Sequence, residues 1–248
     1  MGPGEVRSST TARPLGLPGV TISRAARAVW HYVRRAPGTF VWLVILTVTT
    51  HIISHINPEF RDRFLRQRST NLHELSTSPI RVLISSALYT DGGALWIYYL
   101  VYNLFHVPVE RKLGTLRWLA VVLAAHVGAT YLSEGAVYWE VRHGYLPRSA
   151  IFTLDIGVSY ALAGVEAVLA YLIAAPWCYA YAAGIIVYYG YHLIAGNTFT
   201  DLGHFSSMMI GFACFPLTKV CTEKWDPAAA WSALRQRARS LAAWRSGA

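Results

Sequence analysis

Residues 39–56 read TFVWLVILTVTTHIISHI, eighteen positions without a Lys, Arg, Asp or Glu. A helix crossing a bilayer needs about 20 mostly apolar residues, so this run sets the class before any motif is considered. Five comparable runs follow it. Residues 92–109 and 177–195 carry no formal charge; residues 116–139 are broken only by Arg117 and Glu134, 155–175 by Asp155 and Glu166, and 201–217 by Asp201. A soluble all-α protein with six buried helices needs polar sequence to solvate them. A chain of 248 residues that is 54% apolar and 14% charged leaves too little of it. The sequence therefore predicts an all-α membrane protein with six transmembrane helices.

The charges orient those helices. Of 22 cations only Lys112, Lys219 and Lys224 are lysines, and 13 acidic residues oppose them. With the N-terminus inside, the inner side holds Arg7, Arg13, Arg24, Arg27, Arg34 and Arg35 ahead of the first span. It also holds Arg111, Lys112 and Arg117 between the second and third, and Lys219, Lys224, Arg235, Arg237, Arg239 and Arg245 after the last. That is 15 cations against the 7 at positions 61, 63, 66, 68, 81, 142 and 148. The excess predicts cytoplasmic termini and a multi-pass protein of the plasma membrane. The layout expected is a basic cytoplasmic tail over 1–38, a six-helix membrane domain over 39–217 and a basic amphipathic tail over 218–248. The first ~18 residues, rich in Ser, Thr, Gly and Pro, are expected to be disordered, and no cleaved signal peptide is expected. Ser23–Arg35 and the repeat Trp231, Leu234, Ala238, Leu241 read as basic helices lying on an anionic leaflet. The basic residues flank apolar spans and form no nucleic-acid reader motif, so the lipid bilayer, not nucleic acid, is the expected partner. Three cysteines, Cys178, Cys214 and Cys221, cannot make a disulfide framework.

Polar groups at membrane depth are costly and mark sites. The fourth run opens LDIGVSYALAGVEA (154–167) and the sixth TDLGHFSSMMIGF (200–212). Ser159 follows Asp155 by four residues and His204 follows Asp201 by three, so a nucleophile and a base would sit at similar depth on two helices. The plainer reading is a packing serine and a histidine bonded to a carbonyl. Asp201 could orient a protonated His204; alternatively Asp155 and Asp201 are helix N-caps. His51 and His55 share one helix face at a spacing that suits a metal, or a loop carbonyl. His106, His126 and His192 present no clear facing pair for a haem. Glu166, near mid-span, calls for protonation or a partner such as His126 or a tyrosine.

These residues resemble the motifs of the rhomboid intramembrane serine proteases. Gly157-Val158-Ser159, with Gly164 five residues on, is similar to that family's Gly-x-Ser segment. His204 with Gly211 is similar to its His-x-x-Gly-x-x-x-Gly segment, Ser207 replacing the first glycine. Glu110-Arg111-Lys112-Leu113-Gly114-Thr115-Leu116-Arg117 resembles its Glu-Arg-x-x-Gly-x-x-Arg signature, and Ser78-Pro79-Ile80-Arg81 loosely resembles the lead into its second helix. The resemblance implies a six-helix rhomboid-like bundle. It also implies a Ser159–His204 dyad acting on membrane-spanning protein substrates, with no metal or cofactor. Gly157, Gly164 and Gly211 would permit close helix approach, and Glu110 and Arg111 would brace the second helix. The chain departs from the pattern at Tyr160, where a glycine follows the serine, at Ala163, where an aromatic supports the histidine, and at Ala94 and Tyr98, where oxyanion donors stand. Those departures imply the alternative, an inactive rhomboid-like protein that binds membrane clients. A metal- or haem-binding membrane protein is the third reading.

Overall fold

The computed structural model describes residues 18–90 and 94–246. The first 17 residues, Gly92 of the second apolar run and the side chain of Leu241 lie outside the described residues. The chain divides into two units, residues 1–34 and 35–248. The first contributes one helix, α1 (Pro18–Val33), with Val29 and Trp30 exposed and the Arg34 guanidinium over the Trp30 ring.

The second unit is all helix, with no β-strand among the described residues. It begins with α2 (Pro37–Ser54), then three short helices, α3 (Pro58–Arg66), α4 (Leu72–Thr77) and α5 (Pro79–Ser86). Proline at the first helical positions and side-chain caps define them: Asn57 accepts from Glu59 N and Asn71 from Glu74 N, each at 3.0 Å. Next come α6 (Leu95–Val101), a π-helical turn at Tyr102–His106 and α7 (Val107–Leu113). Pro108 accounts for the π turn: it has no N–H for the Leu104 carbonyl and its ring crowds that carbonyl, so the ladder widens. Gly114, at φ +81°, makes the left-handed turn into α8 (Thr115–Arg142). A 3₁₀ turn precedes α9 (Val158–Leu169) and another ends it at Leu172; α10 (Trp177–Gly196), α11 (Phe199–Ala213), α12 (Phe215–Thr218) and α13 (Pro227–Ser246) complete the chain.

Helices α8, α9 and α11 form the packed centre, and small residues allow it. A Cβ on Gly164 would collide with Ala125 of α8, and one on Gly211 would meet the Gly164 carbonyl and Ala167 Cβ. α10 packs mainly on α11, and α2 lies along α6, α7 and α8. α2 buries Trp42, Leu43, Leu46 and Ile53 and exposes Val41, Val44, Val48 and Ile52. In water this exposed stripe, at spacings of three and four, would be a liability; facing hydrocarbon it costs nothing. By length and composition, α2 and α8 are apolar enough to cross a membrane. The fourth apolar run becomes helix only at Val158, three residues later than the sequence suggests, so Asp155 lies outside α9.

Candidate functional site between two facing helices

Ser159 is the second residue of α9 and His204 the sixth of α11, on helices in direct contact. Both side chains are half-buried. Ser159 Oγ forms no hydrogen bond among the described residues, to His204 or to any other group. The neighbour of His204 is Tyr160. The two rings meet edge to face, centroids 5.1 Å apart at 76°, and Tyr189 of α10 lies nearly parallel to the imidazole at 6.1 Å.

Tyr160 is fully buried and organises the site. Its ring lies against Gly203, where a Cβ would come within 2.6 Å of Cε1. Its hydroxyl donates to Asp155 Oδ1 at 2.8 Å, and its carbonyl accepts a short hydrogen bond from Ser207. Asp155 takes a second bond from Thr70 Oγ1 at 3.0 Å, while its own N–H donates to Ser69 Oγ at 2.7 Å. The segment after α3 is thereby tied to the start of α9. Asp155 does not cap α9, whose N-cap position is Gly157 and which has no side-chain cap. Asp201 is different. Its N–H donates to Thr198 Oγ1 at 3.1 Å and its carboxylate accepts from Thr198 N and Oγ1, a capping box that starts α11.

One of the two expected oxyanion positions lacks a side-chain donor. Ala94 precedes α6 and offers no side-chain donor. Asn103 Nδ2 donates to the Tyr99 carbonyl at 2.7 Å, and His106 is buried with its Nδ1 accepting from Trp118 Nε1 at 3.1 Å. His126 also lies inside the bundle. Its Nε2 is 2.9 Å from the Leu83 carbonyl, and its ring fills the space beside Gly157. It is therefore not the partner of Glu166, which accepts from Tyr189 Oη at 2.6 Å. His55 Nδ1 lies 2.8 Å from the His51 carbonyl, and no cluster of three metal-ligating side chains occurs among the described residues.

Glu110 is the most heavily bonded carboxylate of the fold. It is buried, and it accepts from Gly38 N at 2.8 Å and from Thr39 N, Thr39 Oγ1 and Thr115 Oγ1 at 2.7 Å each. From α7 it thus caps the N-terminus of α2 and ties down the start of α8. Arg117 reaches back to the Leu113 carbonyl at 3.4 Å.

A family model described as rhomboid-like protein matches residues 31–224. The chain belongs to the rhomboid-like family. No curated protein and no solved structure matches it. Rhomboid-like membership and the apolar helices together make it an integral membrane protein. The match spans the buried Glu110 anchor, Ser159 and His204. Tyr160 and Ser207, which shape this rhomboid-like site, show in the sequence only as departures from the motifs, and Ser69 and Thr70 carry no motif signal. The Asp155–Tyr160 spacing of five is not a helix repeat.

Proposed function

We propose that the chain is a six-span rhomboid-like protein of the plasma membrane, with cytoplasmic termini. It holds membrane-spanning client proteins at the α9–α11 face without an armed serine. One observation carries this reading: His204 meets the Tyr160 ring at 5.1 Å, and no hydrogen bond joins Ser159 to it. A serine hydroxyl is a weak nucleophile unless a base stands within hydrogen-bond reach. The missing donor at Ala94 points the same way, since one lost oxyanion donor costs ~10²- to 10³-fold in rate. The basic tails fit the inner leaflet: Trp30 and Trp231 are exposed, with Arg34 and Arg235 over their rings.

A second reading, an intramembrane serine protease with Ser159 as nucleophile and His204 as base, is favoured by a specific fact. The two side chains lie on touching helices and neither is sealed from access. The test is fluorophosphonate labelling of the full chain in lipid nanodiscs, beside an active rhomboid protease. The expected result is no serine-dependent labelling. Labelling of wild type that both Ser159→Ala and His204→Ala abolish would establish the protease instead.

A further inference from the structure

At the end of α9 remote from Ser159, a cavity of about 850 Å³ opens between the π turn, α7, α9 and α10. Leu172 lies thirteen residues beyond Ser159, on the order of 20 Å along the helix axis, so this space is separate from the candidate site. Its walls are apolar: Leu104, Phe105, Pro108, Leu169, Leu172 and Ile173. Arg35, Arg111 and Lys112 also line it, and no carboxylate among the described residues does. Two aromatic residues complete it, and both are held in place. Trp225 is pinned through its backbone, its N–H donating to the Leu172 carbonyl and its carbonyl accepting from Ala174 N, each at 2.8 Å. Tyr181 Oη donates to the Glu166 carbonyl at 3.0 Å. Lys112 Nζ donates to the Glu223 carbonyl at 2.9 Å, which leaves further N–H donors on the ammonium.

The volume is that of a small-molecule site, yet three cations gathered over hydrocarbon walls suit few solutes. They suit an amphiphile with an anionic head. The cations belong to the set that the charge distribution assigns to the cytoplasmic side, where anionic lipids concentrate. We propose that this cavity binds one anionic phospholipid of the inner leaflet. Arg35, Arg111 and Lys112 hold its phosphate, and one acyl chain lies along Leu104, Phe105, Leu169 and Leu172. The proposal rests on the membrane orientation given above and is independent of whether Ser159 reacts.

The test is native mass spectrometry of the full chain released from detergent, titrated with palmitoyl-oleoyl phosphatidylglycerol or with the matching phosphatidylcholine. The expected result is one retained phosphatidylglycerol per chain and far weaker retention of phosphatidylcholine. The Arg35→Gln/Lys112→Gln double variant should weaken phosphatidylglycerol binding by roughly 25-fold. Leu169→Trp, which narrows the apolar wall and keeps every charge, should also weaken it; this variant separates the site from general surface charge. Brominated phosphatidylglycerol should quench fluorescence in wild type more than in Trp225→Phe. Equal retention of the two lipids, or undiminished binding by Leu169→Trp, would overturn the proposal. So would full displacement of the lipid by millimolar glycerol phosphate, which would make the cavity a plain anion site. Fluorophosphonate labelling has no bearing on any of these readings, so the two proposals fail separately.

Discussion

The imidazole of His126 stands where a side chain on Gly157 would begin: a Cβ built on that glycine would collide with the ring. Nothing surrounds the equivalent point on Gly135 of the same α8 helix within 4 Å. Gly157→Ala should therefore cost about 1–3 kcal/mol through overpacking, while Gly135→Ala, in open space inside a helix, should be neutral or stabilise by up to about 1 kcal/mol. Thermal unfolding in detergent compares them. Combining Gly157→Ala with His126→Ala should cost less than the sum of the two, because one clash is shared. Additive costs would show that the ring does not impose the glycine.

Glu110 joins three helices through four accepted hydrogen bonds. Glu110→Ala should destabilise the fold by about 2–4 kcal/mol, since buried donors at the α2 terminus lose their acceptor. Glu110→Gln keeps one acceptor oxygen and should recover part of that. Unfolding midpoints of the two variants, or their yield as monodisperse protein, give the ordering. Equal loss in both would mean that the charge, and not the acceptor count, matters.

Tyr160→Phe deletes the bond to Asp155 and leaves the ring on Gly203 and His204. It should cost about 1–2 kcal/mol. Tyr160→Ala also empties the space over Gly203 and should cost about 3–5 kcal/mol. If Tyr160→Phe proves the more damaging, the hydroxyl's bond to Asp155, which joins the start of α9 to the segment after α3, outweighs the ring's packing on α11.

Cys221 gives a pH-dependent handle. Its thiol donates to the Lys112 carbonyl at 3.2 Å, and burial pushes its pKa up from the usual cysteine range against the opposing pull of Lys112 and Arg117. The thiolate fraction at neutral pH is thus below that of free cysteine. In a Cys178→Ala/Cys214→Ala background, alkylation by N-ethylmaleimide should be slower than for glutathione at pH 7.5 and should still be rising above pH ~8.5. A membrane-impermeant maleimide should reach Cys221 in inverted vesicles but not in intact cells. Labelling in intact cells would reverse the assigned orientation.

Much of the fold is legible in residues 39–56 and 116–139, because apolar length is a strong signal and α2 and α8 follow it closely. The Glu110 signature is legible as a motif, but its work on Gly38 and Thr39 is not, since contacts across about 70 residues leave no local pattern. The site is half legible. Ser159 and His204 stand on touching helices. What meets His204 depends on the face of α9 turned toward α11, and one residue, about 100° of rotation, separates Ser159 from Tyr160. The late start of α9 at Val158 matters for the same reason. An apolar run marks how far a segment can reach into a bilayer, not where its first hydrogen bond closes.

The π turn at Tyr102–His106 has a consequence for how this helix can change over generations. A π turn holds one residue more than an α turn. The C-terminal half of the helix keeps its phase through Glu110, whereas the N-terminal half, Leu95–Val101, has its phase set by the number of residues in the turn. Deleting one residue there would rotate the N-terminal half by about 100° and leave every Glu110 bond intact. The set of residues that Leu95–Val101 turns toward its neighbours, Tyr98 among them, can thus be exchanged wholesale by a single-codon indel. Point substitution would need several coordinated steps to do the same.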